Sequence, residues 1–88
     1  MSFYVYLIAT KINNKIISYA GYTINIQKRL NLHNSSKGAK FTKGKKWLVI
    51  YSKKYKTKKN AMKEEYKLKK DLKFKNYLKN KYAYKFKI

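Results

Sequence analysis

Eighty-eight residues weighing 10.6 kDa are enough for one small domain with a thin core, since a chain this short buries only about 60–65% of the surface its unfolded form exposes. Twenty-four Lys plus Arg against three Asp plus Glu leave a formal charge of +21, a self-repulsion that a polyanion relieves, and nucleic acid is the first candidate partner. The lack of cysteine excludes disulfide staples, thiol nucleophiles and Cys-ligated zinc, while 44% hydrophobic and 17% aromatic content is too apolar for a disordered basic tail. The opening apolar run, Tyr4 to Ala9, is too short for a signal sequence or a membrane span. The expectation is an intracellular, cytoplasmic protein with no membrane partner, folded as a single domain over residues 1–88.

Phe3 to Ile8 and Lys15 to Tyr22 are β-branched and aromatic runs separated by Lys11-Ile12-Asn13-Asn14, and paired Asn residues tolerate the left-handed backbone of a tight turn. They predict a β-hairpin. Gly21, near its far end, removes a side chain where a backbone, a helix or a ligand approaches closely. Asn25 is placed to cap a helix running to about Asn34, with Ile26, Leu30 and His33 forming one stripe. A lysine-rich loop, Ser35 to Lys46, leads into Trp47–Tyr51, read as a buried third strand. Thr57 or Asn60 starts a second helix from Ala61 to about Lys73, striped by Ala61, Glu65, Leu68 and Leu72. From Phe74 to Ile88 lysine alternates with aromatics, a pattern equally compatible with a helix, an edge strand or a basic arm beyond a core of residues 3–73. The order of elements predicts an α+β fold, a three-stranded antiparallel sheet flanked by helices.

Three features carry chemical information. All three carboxylates fall between positions 64 and 71. Glu64 and Asp71 share a flank of the second helix and suit solvated pairing with lysine, whereas Glu65 sits in the apolar stripe and needs a partner there, a lysine ammonium or a divalent metal. Arg29, the single arginine in a lysine-dominated base set, stands four residues from His33 on the first helix, and its planar fork suits phosphate oxygens in a way lysine does not. The segment containing Lys37, Lys40, Lys43, Lys45 and Lys46 suits phosphate backbone contacts, with Phe41 available for stacking.

The ordered set resembles the GIY-YIG nuclease superfamily, in particular small stand-alone members similar to the catalytic half of Slx1-type structure-selective nucleases. Tyr4-Val5-Tyr6 matches the first triad and Tyr19-Ala20-Gly21 the second. They are followed by Thr23 to Leu30 with Arg29, then His33-Asn34, Gly38 to Thr42, the strand Trp47–Tyr51, and Ala61-Met62-Lys63-Glu64-Glu65-Tyr66. The sequence departs from the pattern where Tyr4 replaces the first Gly and Ala20 the Ile, and where Tyr22 stands at a position that excision-repair members fill with Lys. The resemblance implies β-β-α-β-α order and a divalent-metal-dependent DNA endonuclease with a role in repair or recombination. It implies one cation, Mg²⁺ or Mn²⁺, held by Glu65, and a catalytic set of Tyr6, Tyr19, Arg29 and His33, with either Tyr6 or His33 as the base. A tyrosine base needs its pKa lowered from about 10. The rival reading is a basic nucleic-acid-binding protein that keeps the nuclease fold without catalysis.

Overall fold

The computed structural model describes residues 1–35 and 44–86. Strand β1 (Phe3–Ile12) and strand β2 (Lys15–Thr23) form the expected hairpin, each running further than its apolar core. Asn13 and Asn14 take φ values of 50° and 66°, and Ile12 faces Lys15 across the turn. Two consecutive left-handed residues are what lets a two-residue turn follow the right-handed twist of its strands. Strand β3 (Leu48–Tyr55) pairs antiparallel with the other side of β1, giving the order β2-β1-β3.

Being central, β1 has no free edge, and it is covered on both faces: every residue from Val5 to Thr10 is buried. Its side chains alternate, Val5, Leu7 and Ala9 into one core and Tyr6 and Ile8 into the other. The first core is closed by helix α2 (Lys58–Lys70) through Ala61 and Leu68 and by helix α3 (Leu72–Lys81) through Leu78. The second core contains Trp47, with Leu30 of helix α1 (Ile26–Asn34) packed against it.

The third strand departs from expectation. It is an edge strand running on to Tyr55, with Ser52, Lys53 and Lys54 exposed, and fully buried Trp47 lies just before it. A bulge shifts the register so that Leu7 faces Tyr51 while Ile8 faces Val49. The extra residue, Ile50, and Tyr51 therefore both pack toward α2 and α3.

The second helix is also shorter at its end than its pattern predicts. Of the two candidate caps, Thr57 serves, its Oγ1 accepting from Asn60 N at 3.1 Å. Asp71 then ends α2 and caps α3, its Oδ1 accepting from Phe74 N at 3.0 Å. Leu72, expected on the α2 stripe, consequently opens α3 and is 68% exposed. Of the forms open to residues 74–88, the structure shows the helical one for 74–86: α3, then a 3₁₀ turn over Ala83–Phe86. Phe74 meets the Tyr51 ring edge-on at 5.2 Å, and Leu78 and Phe86 enter the first core. Each such burial returns roughly 1.5–3 kcal/mol, which outweighs the weak periodicity that left this segment open.

The turn gives a stability prediction. A β-branched residue tolerates left-handed backbone poorly, at a cost of about 1–2 kcal/mol, so Asn14→Val should lower stability by that amount in urea unfolding, and Asn14→Gly should leave it unchanged or raised.

Candidate active site

A cleft of about 450 Å³ is lined by Phe3, Tyr6, Tyr19, Gly21, Tyr22, Thr23, Ile24, Arg29, Lys58 and Glu65. It draws residues from both faces of β2, with Arg29 contributed by α1 and Lys58 and Glu65 by α2. This is possible because β2 is an edge strand, with no described strand paired along its outer side.

Each side chain is fixed by local structure. Thr23 Oγ1 accepts from Asn25 N at 3.2 Å, and Asn25 Oδ1 accepts from Lys28 N at 3.0 Å. The strand thus turns directly into α1, with Arg29 one turn and His33 two turns inside it. The far end of α1 is tied to β3 by Asn34, whose side-chain amide donates to Trp47 O at 3.2 Å and accepts from Trp47 N at 2.6 Å. Sequence reasoning gave Asn34 no such role; a side-chain amide used as a backbone partner leaves no periodic signal.

Gly21 faces Tyr6 across the hairpin. A Cβ at Gly21 would overlap the Tyr6 hydroxyl and stand 2.6 Å from Cζ, so the close approach anticipated at this glycine is that of a phenol ring. Lying over β2, the ring brings Tyr6 Oη to 3.0 Å from His33 Nε2. Tyr19 meets the same imidazole edge-on at 5.4 Å. His33 is only 1% exposed and lies behind Tyr6, outside the cleft lining, so it reaches the cleft through the phenol.

Burial pushes the Tyr6 phenol up to about 12, with Arg29 pulling the other way and Tyr19 and Glu65 adding to the rise. The direction is opposite to the lowered value expected of a tyrosine base. Burial, and then Arg29, lower the His33 pKa, which favours the neutral imidazole.

Glu65 is mostly buried, its side chain 17% exposed, and Lys69 Nζ pairs with its Oε1 at 3.2 Å. Glu64 pairs with Lys67 at 3.3 Å and, with Asp71, borders a separate hollow, as their shared flank predicts. Lys46 borders another groove with Leu30, Trp47 and Phe86, and Lys45 does not line the cleft. Lys37, Lys40 and Lys43 lie outside the described residues. Lys58 and Tyr22, both cleft residues, carried no signal in a sequence so rich in both types.

The model of the GIY-YIG catalytic domain matches residues 2–83. The chain belongs to the GIY-YIG family. This GIY-YIG domain is 40% identical over 67 residues to a UPF0213 protein of Staphylococcus haemolyticus, covering 75% of this chain and 78% of the relative. It is 48% identical over 52 residues to a UPF0213 protein of Oceanobacillus iheyensis, covering 58% of this chain and 60% of that one. With the UPF0213 protein YazA of Bacillus subtilis it shares 45% identity over 53 residues, 59% of this chain and 54% of the relative. The match thus spans little more than half the length of two of these three relatives. No solved structure matches it. Among its described residues, no helix is long and apolar enough to cross a membrane.

Two measurements check this geometry. Gly21→Ala should cost about 1–3 kcal/mol through overpacking, and the penalty should shrink in a Tyr6→Ala background, where nothing occupies the space; a double-mutant cycle reads the coupling. For pH, a raised phenol contributes stability that is complete below its unfolded value near 10 and is lost as pH rises through about 12. A lowered imidazole contributes stability present above its unfolded value near 6.5 and lost on acidification through the folded value. Tyr6→Phe should flatten the alkaline limb of the stability profile, and His33→Gln the acid limb.

Proposed function

We propose that the cleft hydrolyses phosphodiester bonds in DNA with the help of one divalent cation. The observation that carries this reading is the Tyr6 hydroxyl at 3.0 Å from a buried imidazole, in a cleft that also holds Arg29 and the chain's most enclosed carboxylate, Glu65. The donor set fits a hard cation of the Mg²⁺ or Mn²⁺ kind: one carboxylate with a second oxygen beyond the one that meets Lys69, in a cleft roomy enough for retained waters. Among the described residues there is no cluster of three or more acidic, His or Cys ligands, so Glu65 is the side chain that would hold it. When bound, such an ion polarises a phosphoryl oxygen and eases departure of the leaving oxygen.

The chain's own residues supply the rest. In the tautomer that leaves His33 Nε2 bare, Tyr6 donates its proton to it and keeps lone pairs to accept from an attacking water. As the water attacks phosphorus, its proton moves to the Tyr6 oxygen while the phenol proton passes to Nε2, so the phenol is never left as a free anion. This relay suits a phenol with a raised pKa better than direct deprotonation of Tyr6 does, and the lowered pKa of His33 keeps it neutral and ready to accept. Tyr19 holds the imidazole edge-on, and Arg29 presents a planar fork to the charge developing on the phosphoryl oxygens. The +21 charge concentrates the polyanionic substrate at the surface.

The decisive test incubates the purified protein with labelled single-stranded, duplex and branched DNA in Mg²⁺, Mn²⁺ or EDTA. Cleavage should require the metal. Glu65→Gln should abolish it with folding and DNA binding preserved, and Glu64→Gln should be nearly silent. Binding without metal-dependent cleavage on any substrate would establish the non-catalytic binder instead. Arg29→Lys keeps the charge but loses the fork, and should cost about 100-fold or more in rate, the usual worth of one oriented transition-state donor.

A further inference from the structure

The cleft contains a second cation. Lys58, the first residue of α2, lines it together with Arg29 and Glu65, an exposed ammonium to which the described residues offer no anionic partner. All three carboxylates are engaged elsewhere: Glu64 with Lys67 at 3.3 Å, Glu65 with Lys69 at 3.2 Å, and Asp71 as the cap of α3 at 3.0 Å. Among the described residues no ion pair reaches Lys58. Thr57 Oγ1 accepts from Asn60 N and so fixes the first turn of α2, from which the Lys58 stem leaves on the cleft wall. Lys58 and Glu65 are seven residues apart and so share a helix face, separated by about 10.5 Å along the axis. A duplex strand places a phosphate every ~3.4 Å of its axis and neighbouring phosphates lie further apart than that along the winding backbone, so a cation at this separation is within reach of a phosphate at most a few nucleotides from the one that Glu65 serves.

We propose that Lys58 is a substrate-positioning residue that grips a non-scissile phosphate of the cleaved strand, within about three nucleotides of the bond that Glu65 and Arg29 serve. On the nuclease reading, on which this assignment rests, Arg29 and Lys58 divide the labour. The rigid fork meets the reacting phosphate, and the flexible ammonium holds a neighbour as a point charge. A contact of this kind fixes the register of the strand and reads no base, so it acts alike on every sequence.

The test compares Lys58→Met with Lys59→Met. The two remove the same charge one residue apart; both lysines are exposed, and of the two Lys58 alone lines the cleft. With labelled DNA in Mg²⁺, Lys58→Met should raise KM about 10-fold with kcat within twofold of the parent, and the slope of log KM against log salt should flatten by about 0.7–0.9, the share of one phosphate. Lys59→Met should change KM less than twofold, and Lys58→Arg should restore most of the loss. Binding of the same DNA in EDTA should repeat the ranking without any turnover. Equal losses in the two Met variants would overturn the assignment, leaving only a bulk-charge effect, and a fall in kcat with KM unchanged would move Lys58 into the chemical step and overturn it too. If the parent binds but never cuts, the nuclease reading fails, and the EDTA comparison still decides whether Lys58 holds a phosphate.

Discussion

The phenol ring of Tyr6 lies in the space that a side chain at position 21 would fill, and the arrangement of the cleft follows from that vacancy. With a bare Cα opposite it, the ring folds across β2 and sets its hydroxyl against His33, which α1 delivers on the same face of the sheet. Tyr19, one pleat along β2 on the same face, closes the imidazole from the side. A glycine, two tyrosines and a histidine are thereby one packed object, with no freedom to adjust singly. The pKa shifts belong to the same object: the burial that makes the ring a good core residue is what raises the phenol and depresses the imidazole.

Electrostatics divide this molecule in a different way. Repulsion among two dozen cations acts everywhere, and three carboxylates cannot balance it, so stability rests on the two apolar cores and on capping. The acidic side chains are placed where a local geometry needs them: Asp71 at the junction of two helices, Glu64 on a solvated flank, and Glu65 mostly buried at the cleft wall. Surface pairs of the Glu64–Lys67 kind contribute little to stability. Their positions say more about the site than about the strength of the fold.

Much of this was legible in the sequence, and the residues show why. The Asn13-Asn14 turn, the Asn25 cap and the apolar β-branched and aromatic run of β1 are local signals, since the information that determines each lies within a few residues. Arg29 and Glu65 stood out because one was unique by type and the other sat wrongly in an apolar stripe, and both line the same cleft. Elsewhere the deciding partner was distant. Nothing near Asp71 distinguishes a helix break from a continuing stripe until Phe74 docks on Tyr51, and the bulge at Ile50 exists because β3 must satisfy α2 and α3 together. Asn34 is similar: its role needs Trp47, thirteen residues away. The tyrosine pKa went the other way from the expectation because burial by the hairpin outweighed the nearby guanidinium.

The pairing of Lys69 with Glu65 has a thermodynamic meaning of its own. A mostly buried carboxylate with no counter-charge would either cost the fold free energy or take up a proton. Here the Lys69 ammonium neutralises it, one helical turn along the same helix. On the proposed reading, occupancy by an ion would exchange one positive neighbour for another, and folding would not wait on the ion as it does in small zinc domains. Folding and loading would then be separate equilibria.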